Sequence, residues 1–214
     1  LYASDFSPDV RPVAAVRARA WIAQGNLSAA WSWARKHGVT AADELSYLHE
    51  FEHATLARLL LAQGTRDRAD DTIGAATELT QRLLAAAEDG GRSGSAIDIL
   101  VVQALARHAG GDVVGALASL HRAVALAEPE GYVRVFIDEG QPMAALLRLA
   151  AKERKAPRYV RRLLGAVVTV EGQTPVGQPL IEPLSERELE VLRLLESDLD
   201  GPDMARELSV SLAT

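Results

Sequence analysis

Apolar side chains return every third or fourth residue along most of this chain. Leu45, Leu48, Leu56, Leu59 and Leu60 make one such series, and Leu117, Leu120, Val124 and Ala127 make another. That spacing draws one apolar stripe along a helix, whereas a half-buried strand would alternate every second residue. Alanine and leucine dominate and β-branched runs are short. An all-α chain is therefore expected.

Punctuation divides the helices into pairs. AQGNLSAA at 23–30, AQGTRDRA at 62–69 and AGGDVVGA at 109–116 each place a glycine (Gly25, Gly64, Gly111) five residues before an alanine (Ala30, Ala69, Ala116). A glycine just past a helix end enters the left-handed region without a Cβ penalty, and a small residue in the next helix lets the two axes approach. Each match predicts a helical hairpin. The glycines lie 39 and 47 residues apart, a period that suits helix pairs stacked into a right-handed solenoid. Pairs are expected at about 10–38, 43–89 and 95–128, then helices at about 132–139, 141–154 and 157–168.

EGQTPVGQPLIEPL, at 171–184, holds three prolines and two glycines in fourteen positions, a composition that cannot continue a helix. The expected organisation is a helical-repeat domain at 1–170, a linker at 171–183 and a small terminal unit at 184–214. In that unit Ser185 and Glu188 form an S-x-x-E capping box, and Val191, Leu192 and Leu195 give the first helix an apolar face. Asp200 can cap a second helix through Pro202, Met204, Ala205 and Leu208; Val210 closes the small core, and Ser211 with Thr214 opens a third helix. The pattern is helix, turn, helix.

LSERELEVLRLL followed by MARELSVSLAT resembles the DNA-binding module of LuxR-family bacterial transcription regulators. The resemblance implies that the helix opened by Ser211 is a recognition helix for the major groove, with Ser211 and Thr214 as DNA-contacting residues. It also implies a structural acidic position at Glu188 and a helix-crossing alanine at Ala205. Asp198 departs from the usual helix-ending glycine, and Leu212 from the usual polar residue. Upstream, GYVRVFIDEGQPMAALLRLAAKERKAPRYVRRLLGAV at 131–167 and DELSYLHEFEHATLARLLLAQG at 43–64 are similar to the large, MalT-like, ATP-binding members of that family. What this implies is a TPR-like helical-hairpin solenoid acting as a sensor, followed by a partial helix-turn-helix. The implied partners are promoter DNA, bound as a homo-oligomer through the complete C-terminal domain, and an unidentified small-molecule or protein effector. ATP would belong to a separate N-terminal domain. No G-x-x-x-x-G-K-[ST] occurs here, so no cofactor is expected in this stretch.

Charge limits what the stretch does alone. Its net charge is −6, and residues 184–214 carry three arginines against eight acidic residues. That surface repels phosphate, so these residues alone are expected not to hold DNA. Cysteine is absent, which removes disulfides and thiolate metal sites and makes a reducing cytoplasm the natural compartment. No apolar run approaches the roughly 20 residues that cross a bilayer. The opening LYASDFSPDV has no leader character and begins at Leu1, as expected of an interior piece of a longer chain.

Three features offer rival chemistry. HEFEH at 49–53 matches H-E-x-x-H, where His49 and His53 would ligate zinc, Glu50 would act as base, and Glu78 is the tempting third ligand. With no strand to hold a substrate, coincidence is the favoured reading, and no enzyme is expected. Trp21, Trp31 and Trp33 crowd the first hairpin. Aromatic faces stack on sugar rings, so Trp31 and Trp33 are the candidate effector or partner surface, with Trp33 the more exposed by helical phase; core packing is the favoured reading. Arg148, Lys152, Arg154, Lys155, Arg158, Arg161 and Arg162 form a basic patch read as a solvated face. The alternative function is a scaffold solenoid without DNA binding.

Overall fold

A computed structural model describes residues 10–153, 158–172, 185–197 and 201–208, and among these residues it is helical with no strand. The first six helices form three hairpins: α1 (Val13–Ala23) with α2 (Leu27–Lys36), α3 (Glu50–Asp67) with α4 (Asp70–Asp89), and α5 (Ser93–Ala109) with α6 (Val113–Ala127). A 3-10 turn, Tyr47–His49, leads into α3. Then come α7 (Arg134–Ile137), α8 (Gly140–Ala151) and α9 (Arg158–Gly172). The first helices of the pairs start at Val13, Glu50 and Ser93, so the repeats are 37 and 43 residues long. The chain divides into two compact units, 1–172 and 173–214.

Two of the expected turns form as the glycine rule requires. Gly25 and Gly111 take φ of +75° and +83°, and each is followed by a capping residue. Asn26 Oδ1 accepts from the amide of Ala29 at 3.3 Å, and Asp112 Oδ1 accepts from that of Gly115 at 2.8 Å. Ala30 and Ala116 are fully buried where their helices close on the partner.

Gly64 behaves differently. It lies inside α3, which continues to Asp67, and Arg68 takes the left-handed turn at φ +54°. The buried glycine lets α4 come close: a Cβ there would meet Ile73 Cγ1 at 2.7 Å and the Ile73 amide nitrogen at 3.0 Å. The spacing read as a turn is a close-packing device. The same glycine-to-alanine spacing recurs, unanticipated, at Gly91 and Ala96, where Gly91 (φ +65°) joins α4 to α5 and Ala96 is buried.

α5 is the spine of the first unit. Ile97 and every residue from Ile99 to Ala106 are buried, because α5 packs against α3, α4, α6, α7 and α8. A helix apolar all round stays folded only when neighbours cover it all round. Its one polar core residue, Gln103, accepts from the Ser119 hydroxyl of α6 at 2.9 Å. Further on, Phe136 is wholly buried in the short α7, and the Tyr159 hydroxyl of α9 donates to the Tyr132 carbonyl at 2.7 Å. These contacts fix the α6–α7 corner, and with it Glu139.

The second unit contains α10 (Glu186–Glu196), which starts just after Ser185, and α11 (Gly201–Glu207). The Arg187 side chain donates to the Leu208 carbonyl, linking the two helices. Val191 and Leu192, expected in a core, are 36% and 49% exposed; the described residues of α11 leave that side of α10 uncovered. α9 runs two residues into the stretch read as linker.

Candidate functional site

The first helices of successive pairs form a row: α1 touches α3, α3 touches α5 and α5 touches α7. Along that row lies a cleft of about 1210 Å³. Its walls are mostly apolar, with Ala20, Ile22 and Ala23 of α1, Leu61 and Ala62 of α3, Leu105 of α5, and Val135 and Pro142 from the α7–α8 region.

Four charged residues lining it form one network. Arg58 of α3 sits at the centre and donates from Nη2 to Asp98 Oδ1 at 2.8 Å and to Glu139 Oε1 at 2.7 Å. Its Nη1 and Nε reach Asp98 Oδ2 at 3.4 Å and Glu139 Oε1 at 3.2 Å. Arg19 of α1 donates from Nη2 to Asp98 Oδ2 at 3.3 Å and from Nε to the Thr55 hydroxyl at 3.0 Å. Thr55 donates onward to the Phe51 carbonyl at 2.7 Å, and the Phe51 ring lies 3.9 Å from the Arg19 guanidinium carbon. α1, α3, α5 and the N-terminal edge of α8 are therefore joined through side chains alone.

Burial sets the electrostatics. It would raise the Asp98 carboxyl, but Arg58 and Arg19 overcome it and hold the group at about 2. Burial would lower Arg58, yet Asp98 and Glu139 together keep it above the ordinary arginine value. Arg19 falls the other way, to about 10, because burial and the charge of Arg58 outweigh the help it receives from Asp98 and Glu139. Arg58 has both carboxylates; Arg19 shares one.

The tryptophans chosen from sequence lie elsewhere. Trp33 is 4% exposed and part of the core, as the favoured core-packing reading had it, although helical phase made it the more exposed of the two. Trp31 is half-buried and donates from Nε1 to Gln63 Oε1 at 3.2 Å. Neither lines the cleft. Phase failed because α2 buries Leu27, Ala30, Trp33 and Ala34, a face centred on Ala30 rather than on Trp31. Ser211 and Thr214 lie outside the described residues.

H-E-x-x-H is occupied by other bonds. His53 is buried, with Nδ1 2.9 Å from the His49 carbonyl and Nε2 3.2 Å from Asp43 Oδ2. His49 lies in the 3-10 turn with Nδ1 3.0 Å from the Ser46 hydroxyl, and Glu50 binds Arg92 at 2.7 Å. Glu78 is exposed on α4. No group of three or more His, Cys, Asp or Glu among the described residues is placed to hold a metal. Arg148, Lys152, Arg158, Arg161 and Arg162 of the basic patch are exposed; Arg154 and Lys155 are outside the described residues.

Sequence reading missed Arg19, Arg58, Asp98 and Glu139. A signal was present for two of them: Arg58 stands alone in TLARLLLA and Asp98 in SAIDILVV, whereas Arg19 shares RARAWIA with Arg17. A single charge in an apolar helical run is a candidate for burial with a partner.

A family model described as the MalT-like TPR region matches residues 2–153. No curated protein and no solved structure matches the chain. The match spans the three hairpins, the cleft and the whole charged network, and extends to the end of α8. On that match, this chain belongs to the family of MalT-like TPR regions.

Proposed function

We propose that this chain is the effector-sensing part of a LuxR-type, MalT-like bacterial transcription regulator. The observation that carries the reading is the cleft, because it runs along the row of first helices in a repeat region of the regulator type. A cleft shared by successive repeats suits sensing: a ligand that touches several hairpins at once favours one curvature of the stack over another. In this reading the change in curvature alters the disposition of flanking domains. Promoter DNA is then bound, by an oligomer, through a C-terminal helix-turn-helix to which α10, α11, Ser211 and Thr214 belong. The stretch makes and breaks no bond. ATP does not fit it, since it has no phosphate-binding G-x-x-x-x-G-K-[ST], and nucleotide binding is assigned to a separate domain.

The deciding experiment is genetic. Removing residues 184–214 from the protein in its host is expected to abolish promoter occupancy and the transcript changes that depend on it. Transcripts unchanged by that deletion would replace the regulator with a scaffold solenoid.

A further inference from the structure

The chemistry of the cleft narrows what it accepts. Among the described residues its lining includes no Trp, Tyr or Phe, and the aromatic face it offers is the small, polar imidazole of His108, a poorer platform for a sugar than an indole or phenyl ring. The walls suit a hydrocarbon body. Among the charges, Arg58 is committed at every nitrogen, Asp138 pairs with Arg134 at 3.1 Å, and Arg66, held through Nε by Asp67 and through Nη2 by Gln63, has a side chain 55% exposed to water against 24% for Arg19. Arg19 differs. Its Nε and Nη2 are engaged, while Nη1 has no acceptor among the described residues. A guanidinium with an uncommitted edge in a partly enclosed, mostly apolar site is a ready carboxylate receptor. Asp98, Asp138 and Glu139 also line the cleft and offset the charges of Arg19, Arg58 and Arg66, so the lining suits a single negative charge better than several.

We propose that the cleft binds a small organic acid with an apolar body and one carboxylate, the carboxylate pairing with the free Nη1 edge of Arg19. The proposal rests on reading the cleft as the sensing site. Burial and the nearby Arg58 already strain the Arg19 cation, and an incoming anion relieves that strain. The anion also competes with Asp98 for Arg19, which loosens the link between α1 and α5.

The test is calorimetric titration of the full chain with octanoate and, as the uncharged match, octanol. Octanoate is expected to bind at least about tenfold more tightly, as charge-assisted hydrogen bonds allow, and Arg19→Gln is expected to erase that preference. Ala20→Phe fills the wall from an exposed position outside the network. It is expected to abolish binding of both compounds while leaving the unfolding midpoint unchanged. Equal affinity for the two compounds, or a preference that survives Arg19→Gln, overturns the carboxylate pairing but leaves the cleft as a ligand site. No binding of either compound, or binding indifferent to Ala20→Phe, overturns the proposal by removing the cleft itself. Neither result bears on the transcript test.

Discussion

Replacing Arg58 by methionine keeps most of the side-chain length and removes the charge at the centre of the network. Asp98 and Glu139 then lose their main cation with side chains only 28% and 20% exposed. Breaking a buried pair by removing one partner costs about 3–5 kcal/mol, and partial solvent access places this loss near about 3 kcal/mol at neutral pH. The pH dependence identifies the cause. Asp98 titrates at about 2 in the folded protein against an ordinary value of 3.8, so the unfolded chain takes up the proton first as pH falls. The native stabilisation from this group is present in full above the ordinary carboxyl range and is lost as pH drops towards 2. Its size is about 2 kcal/mol, at about 1.4 kcal/mol per pKa unit. In Arg58→Met the depression shrinks, because Arg19 alone remains to hold the Asp98 carboxylate against burial. The wild type therefore weakens more on acidification than the variant does. Urea unfolding of both proteins should show the gap closing by about 1 kcal/mol between about pH 5 and pH 3. Asp43 is also held at about 2, chiefly by the hydroxyl and amide of Thr40, and it cancels because both proteins carry it. A gap that stays constant across this range would show that Arg58 acts through packing alone.

Other substitutions separate backbone from packing effects. Gly64→Ala should destabilise by about 1–2 kcal/mol, since overpacking against Ile73 exceeds the helix-propensity gain of up to about 1 kcal/mol; Gly74→Ala, where a Cβ meets nothing within 4 Å, should stabilise by up to that same gain. Denaturant midpoints that shift in the same direction for both would contradict the assignment of Gly64 to a helix contact. Arg68→Gly relieves the one non-glycine positive φ among the described residues and should raise stability by about 0.5–1 kcal/mol in the same assay. Phe136→Ala should cost about 3–5 kcal/mol; amide exchange should show the loosening spread from α7 to the Glu139 edge of the cleft, and exchange there at the wild-type rate would disconnect the two.

The helical pairs were legible because their signals are local. The apolar stripes of α3 and α6 and the turn glycines Gly25 and Gly111 all lie within a few residues of what they determine. Gly64 shows where local reading stops. A glycine is equally the mark of a left-handed turn and of a close helix contact, and only the position of Ile73 on the next helix chooses between them. Trp33 failed for a related reason: several faces of α2 carry apolar residues, and which of them turns inward depends on α1 and α3. The network failed more completely. Arg58 and Asp98 are each visible as a lone charge in an apolar run, but the pairing spans 40 residues from Arg58 to Asp98 and 79 from Arg19 to Asp98. The matching partner is written nowhere near.

That long reach is what makes the network matter for sensing. In a stack of hairpins most contacts join nearest neighbours, so a disturbance in one pair reaches distant pairs only by changing each interface in turn. The charged side chains provide a shorter route. Arg58 reaches Glu139 across 81 residues, and Asp98 accepts from both α1 and α3, so three hairpins and the α7–α8 corner share one set of hydrogen bonds. Each bond is worth only about 1.5–3 kcal/mol, yet they are coupled: moving Asp98 away from Arg19 alters its hold on Arg58, and through Arg58 its hold on Glu139. A ligand that engages Arg19 need therefore supply only the energy of one exchanged contact to bias the arrangement of all four elements. A purely apolar cleft floor would bind the same hydrocarbon body without conveying that it had done so.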